Sequence, residues 1–194
     1  MDPRLLDALV PVVEAFEEMG IDYQLGGSLA SSVHGIPRSS LDVDLLSSLE
    51  LDQVAELVTK LGDAYYVSKT RALDGVQRGS SFNVIHLGTM FKVDIFVARS
   101  DNFRRTSLGR RKLEALAETR SLFVTSAEDI VLHKLQWYRN GGEVSNQQWQ
   151  DIVGVLTVQS GRLDMDYLEQ WAAELNVGDL LKRGIAEAAS HGSD

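Results

Sequence analysis

The chain contains no cysteine, which excludes disulfides and thiolate metal sites. No apolar run approaches the roughly 18 residues that a membrane-crossing helix needs. The first residues, Met1-Asp2-Pro3-Arg4, lack the basic start and apolar run of a secretory leader. Basic residues are the minority, 19 Lys and Arg against 28 Asp and Glu, for a net charge of −9. A protein that coats nucleic acid carries a basic surface. This chain as a whole does not, although an acidic chain can hold a local basic stripe. There is no internal repeat and no low-complexity tract. A soluble, cytoplasmic protein without a membrane partner is therefore expected. What is present is apolar content, 44% of 194 residues, enough for one sizeable core or one domain with a helical extension.

Asp2 before Pro3 is a helix start, a capping side chain followed by proline in the first turn. Leu5, Leu6, Leu9, Val12, Val13, Phe16 and Met19 then recur near helical spacing. Pro11 inside that pattern predicts a kink, and Gly20 ends it. Residues 21–25 read as a short strand, 28–34 as a short helix closed by Gly35, and 41–46 as a second strand. An amphipathic helix over 52–61 stops at Gly62, and a strand follows over 64–68. The polar stretch 69–80 contains a short helix. Residues 82–87 and 90–98 read as an antiparallel hairpin joined at Gly88-Thr89. From Ser126, with Asp129 three residues on, a capping box opens a helix that runs to about Arg139. Further helices are expected over 146–159, 164–175 and 177–189, and the last residues, 190–194, read as a frayed tail. The expected organisation is an α/β core over 1–122 and a helical region over 123–194.

Three segments carry chemistry. Leu25-Gly26-Gly27-Ser28 ends a strand in two glycines and opens a helix with a hydroxyl. Glycines let the backbone approach a ligand, and a helix N-terminus offers free N–H groups and partial positive charge. That describes a phosphate seat, although alone it also describes an ordinary strand-to-helix turn. Asp42 and Asp44 alternate along a strand, so both carboxylates share a face. Two like charges that close either call for a cation, for which hard oxygen ligands suit Mg2+, or are two chance acids on a solvated sheet face. In the strand Phe91-Lys92-Val93-Asp94-Ile95-Phe96-Val97, Asp94 is a charge amid apolar residues and needs a partner. If its strand lies beside that of Asp42 and Asp44, three carboxylates converge, enough for two metals; otherwise Asp94 pairs with Lys92 or an arginine.

Gly-Gly-Ser, then Asp-x-Asp, then a later strand Asp resembles the nucleotidyltransferase superfamily, which includes polymerase-β-like enzymes and aminoglycoside and lincosamide nucleotidyltransferases. Arg38-Ser39-Ser40 before the Asp-x-Asp strand, Ser126-Ala127-Glu128-Asp129-Ile130 leading to Lys134, and Asp151-Ile152 resemble the bacterial AbiEii-type toxin group. The resemblance spans about Ile21 to Leu156. It implies an α+β fold: a nucleotidyltransferase-type mixed sheet flanked by helices, followed by a C-terminal helical part. It also implies transfer of a nucleoside monophosphate from a nucleoside triphosphate to a hydroxyl acceptor, with Mg2+ or Mn2+ as cofactor. Asp42, Asp44 and Asp94 would be the catalytic metal ligands. Gly26, Gly27 and Ser28 would hold the triphosphate, with Arg38, Lys92 and Lys134 neutralising its charge.

The toxin group further implies an RNA acceptor and a cognate antitoxin. A small-molecule nucleotidyltransferase and a catalytically inactive binding module are the alternatives. The densest basic stretch, Arg104, Arg105, Arg110, Arg111 and Lys112, is either a site for an RNA backbone or a solvated face. Glu128 and Asp129 suit the first turn of a helix on electrostatic grounds. Asp151 either holds Lys134 in place across two helices or is plain surface, and the aromatics Trp137, Tyr138, Trp149, Tyr167 and Trp171 suit core packing.

Overall fold

The computed structural model describes residues 3–40, 42–98, 101–117 and 120–191. The Asp2 cap, strand position Leu41 and the last three residues of the tail lie outside them. The described elements run α1 (Pro3–Glu18), β1 (Tyr23–Leu25), α2 (Gly27–His34), β2 (Asp42–Ser47), α3 (Val54–Leu61), β3 (Tyr65–Val67) and α4 (Lys69–Arg78). Next come β4 (Ser81–His86), β5 (Lys92–Val97), α5 (Asn102–Gly109), β6 (Lys112–Ala117) and β7 (Arg120–Val124). The chain ends in α6 (Ala127–Asn140), α7 (Asn146–Val158), α8 (Met165–Glu174) and α9 (Gly178–His191). The fold is α+β, as the sequence implies. No described helix is long and apolar enough to cross a membrane.

Two compact units divide the chain. One comprises residues 1–26 and 39–125, the other 27–38 and 126–194. The first holds a seven-stranded mixed sheet in the order β3-β4-β5-β2-β1-β7-β6. β2 and β5 run parallel, as do β1 and β7; the other neighbours are antiparallel. The expected hairpin at Gly88-Thr89 is β4–β5. The sequence pattern assigned no elements to residues 99–120, and there the structure places α5 and most of the β6–β7 hairpin. α5 has a local start signal, since the Asp101 side chain accepts from the Arg104 N–H at 3.0 Å. α1 continues through Pro11.

The two faces of the central strands differ in character. Val43, Leu45, Val93, Ile95 and Val84 are fully buried on the face that α1 and α4 cover. Each such side chain contributes about 1.5–3 kcal/mol of burial. On the opposite face Leu46 and Phe96 are covered by Leu108 of α5 and by Ala98. Gln24 is buried there too, donating to the Ser107 hydroxyl at 2.8 Å. α5 thus covers the C-terminal half of β2 and β5. The N-terminal half carries the charged residues Asp42, Asp44, Lys92 and Asp94.

The second unit is helical. α7 packs on α6 and α9, α6 on α8, and α2 on both α6 and α7. At the start of α6 the Ser126 side chain accepts from the Asp129 N–H at 3.2 Å, so the expected cap forms. The first-turn acids do more than favour the helix dipole. Asp129 is fully buried, accepting from Ser126 Oγ at 2.8 Å and Tyr167 Oη at 2.6 Å. Glu128 accepts from the backbone N–H of Asp164, tying α6 to the start of α8. Gly35 sits where α2 meets α7: a Cβ there would lie 2.8 Å from the backbone nitrogen of Val155. Tyr138, Trp149 and Trp171 are buried as expected, whereas Trp137 is 41% exposed.

Candidate active site

Strand register gives the first unit its charged patch. Asp42 is the cross-strand partner of Lys92, and Asp44 that of Asp94. Register partners on neighbouring strands point to the same side of the sheet, so three carboxylates and one ammonium occupy one face. Asn83 of β4 extends the row on the other side of Asp94. Just beyond β1, the Gly26 N–H donates to the Asp44 carbonyl at 2.8 Å, fixing the start of the glycine turn beside β2. Thr125 closes the same corner, its hydroxyl donating to the Leu25 carbonyl at 2.7 Å; the sequence reading did not single it out.

Lys92 holds the patch together. Its Nζ lies 2.7 Å from Asp94 Oδ2 and 3.9 Å from Asp42 Oδ1. The hydrogen bond that Lys92 donates to Asp94 raises the Lys92 pKa above its ordinary value, and the charges of Asp94, Asp42 and Asp44 add to this. Among the described residues no group of three or more His, Asp or Glu side chains is gathered as a metal-binding cluster. The donors nevertheless suit a hard divalent cation: they are carboxylate oxygens, two of them on paired strand positions. A cation already rests against two of the acids in the form of the Lys92 ammonium.

The second unit carries a cationic cluster. α2 begins at Gly27, whose φ of +54° is a left-handed conformation that glycine adopts without strain. Ser28 follows, and its Oγ accepts from Arg38 Nη2. Arg38 also forks onto Asp151 of α7, Nε to Oδ1 at 2.8 Å and Nη2 to Oδ2 at 2.9 Å. Lys134 of α6 reaches the same Oδ2 at 2.8 Å and Gln148 Oε1 at 3.1 Å. The Lys134 side chain is 4% exposed and that of Arg38 26%, so Arg38 is the outward member. Burial pushes the Asp151 carboxyl upward, but Arg38 and Lys134 outweigh it and hold it below the usual carboxylate range. Its hydrogen bond to Asp151 in turn raises the Arg38 pKa. Two cations share one carboxylate beside a helix N-terminus, an arrangement that favours an anion.

Two residues of the first unit's basic stretch, Arg104 and Arg111, are occupied internally. Arg104 donates to the carbonyls of Gly79 and Val97. Arg111 pairs with Asp22 and lies over the ring of Phe123.

The sequence matches no family model and no curated protein. Solved structures do match. The crystal structure of ANT(2'')-Ia in complex with adenylyl-2''-tobramycin is 14% identical, covering 89% of this chain and 97% of that one at a TM-score of 0.60. The solution structure of the antibiotic-resistance factor ANT(2'')-Ia is also 14% identical, covering 98% and 99% at a TM-score of 0.58. An antigenic nucleotidyltransferase-like protein from Paracoccidioides brasiliensis is 16% identical, covering 92% and 91% at a TM-score of 0.52. The chain has the nucleotidyltransferase fold. The similarity runs over nearly the whole length of these proteins.

Proposed function

We propose that this chain transfers a nucleoside monophosphate from a nucleoside triphosphate to a hydroxyl acceptor, using Mg2+ or Mn2+ held by Asp42, Asp44 and Asp94. The observation that carries this reading is the register pairing of Asp44 with Asp94, within a nucleotidyltransferase fold. A divalent ion held by these acids would supply positive charge to the attacking and leaving oxygens. The acceptor oxygen forms a bond to the α-phosphorus, the bond from that phosphorus to pyrophosphate breaks, and the Asp94 carboxylate takes the hydroxyl proton. The first turn of α2, Gly27 and Ser28, offers backbone N–H groups to a phosphate, whereas the Gly26 N–H is taken by the Asp44 carbonyl. Within the second unit, Arg38 and Lys134, both held on Asp151, offer positive charge to a phosphate.

Of the acceptor classes, a small hydroxyl compound has more support than RNA. One structural neighbour is described with an adenylylated tobramycin. This chain has a net charge of −9, and Arg104 and Arg111 of its basic stretch are engaged internally. A toxin-type role on RNA, with a cognate antitoxin, keeps only the short motifs in its favour.

The test is label transfer from mixed nucleoside triphosphates with Mg2+, to a panel of small hydroxyl compounds and, separately, to total RNA. Transfer to a small compound, abolished in folded Asp44→Asn, is the expected result. Unchanged transfer by that variant refutes the mechanism. Tight triphosphate binding with no transfer to any acceptor instead identifies a binding module.

A further inference from the structure

We infer that Lys92 is a resident cation that holds the carboxylate site in the absence of nucleotide and yields to a divalent ion when a triphosphate arrives. The inference rests on the metal-site reading above and adds an order of events to it. The side chain is placed for this by the same register that gathers the acids: Lys92 stands opposite Asp42 and two positions before Asp94 on one sheet face. Its ammonium contacts Asp94 at 2.7 Å with Asp42 at 3.9 Å.

The contact is also easy to undo. The Lys92 side chain is 38% exposed, and exposed ion pairs are weak. An ammonium on a flexible four-carbon stem can swing away without disturbing the strand. While it stays, a divalent ion must displace it from Asp94 and endure its like charge. A triphosphate changes both conditions. It brings further oxygen ligands for the ion and an anion for the released ammonium. Metal and nucleotide then bind as one unit, and the nucleotide-free protein takes up divalent ions poorly.

Mn2+ binding to the full-length protein, followed by electron paramagnetic resonance, tests this without turnover. Wild type is expected to bind Mn2+ weakly alone, and at least tenfold more tightly with non-hydrolysable analogues of the four triphosphates. Lys92→Met keeps the aliphatic stem and removes the charge. Taking away one positive charge about 5 Å from a divalent ion tightens its binding roughly tenfold even in water-like surroundings. Lys92→Met is therefore expected to bind Mn2+ about tenfold more tightly than wild type without analogue, with Lys92→Arg restoring the wild-type behaviour. Equal Mn2+ affinity of Lys92→Met and wild type without analogue overturns the inference, while analogue-dependent binding lost in Asp44→Asn leaves the metal-site reading intact. Mn2+ binding by none of these proteins, or binding unaffected by Asp44→Asn, removes the metal-site reading and the inference with it.

Discussion

Arg38 and Asp151, 113 positions apart in the chain, meet fork to fork through contacts of 2.8 and 2.9 Å. The pair is planar recognition of a carboxylate by a guanidinium, with Lys134 completing it from the buried side. Four expected outcomes follow from this pair and its surroundings.

Asp151→Asn removes the only negative charge described between Arg38 and Lys134. The Lys134 ammonium, 4% exposed, is then left without its carboxylate partner. Breaking a buried pair from one side costs about 3–5 kcal/mol. Urea unfolding is expected to show a loss in that range. A loss below about 1 kcal/mol would mean that the cluster is hydrated in solution.

The same carboxylate gives the chain an acid limit. Asp151 titrates below the usual carboxylate range in the folded protein. A lowered folded value adds stability that is complete above the unfolded value, near 3.9, and fades as the pH falls through the folded value. Thermal unfolding from pH 7 to pH 3 is expected to show wild type converging on Asp151→Asn only below about pH 4. A gap already closing at pH 6 would point to another group.

Arg38→Lys keeps the charge and loses the fork. If Arg38 meets the triphosphate, the variant is expected to raise the KM for nucleoside triphosphate about tenfold, a loss of roughly 1.4 kcal/mol, with kcat less affected. Steady-state kinetics measure it. An unaltered KM takes Arg38 out of the nucleotide site.

Gly35→Ala places a methyl group 2.8 Å from the Val155 nitrogen and 3.0 Å from the Ser31 carbonyl oxygen. Neither backbone atom can rotate away, so α2 must shift from α7. Overpacking of this kind costs about 1–3 kcal/mol. A lowered thermal midpoint is expected, and an unchanged one would show that the two helices are loosely packed here.

Much of the site was legible because its signals are local. Asp42 and Asp44 share a face because side chains alternate along any strand. Gly27 marks a turn because its left-handed backbone suits glycine, and Ser126 marks a helix start because its hydroxyl accepts the Asp129 N–H. Residues 99–120 were less legible. Leu113 on edge strand β6 is 61% exposed, so that segment lacks the alternation that a half-buried strand imprints. Thr125 gave no signal, since its partner, the Leu25 carbonyl, is 100 positions away.

The sequence alone determined the elements before residue 99 and after residue 125 near their observed bounds, the shared face of Asp42 and Asp44, and the helix start at Ser126. Backbone geometry sets each of these within a few residues. Only the tertiary structure decided that β5 lies parallel to β2 with Asp94 level with Asp44, that Lys92 rests on Asp94, and that α2 groups with the distant helices α6 to α9. Strand order and ion pairing depend on which apolar faces bury against each other across long stretches of chain, a choice that no local period encodes.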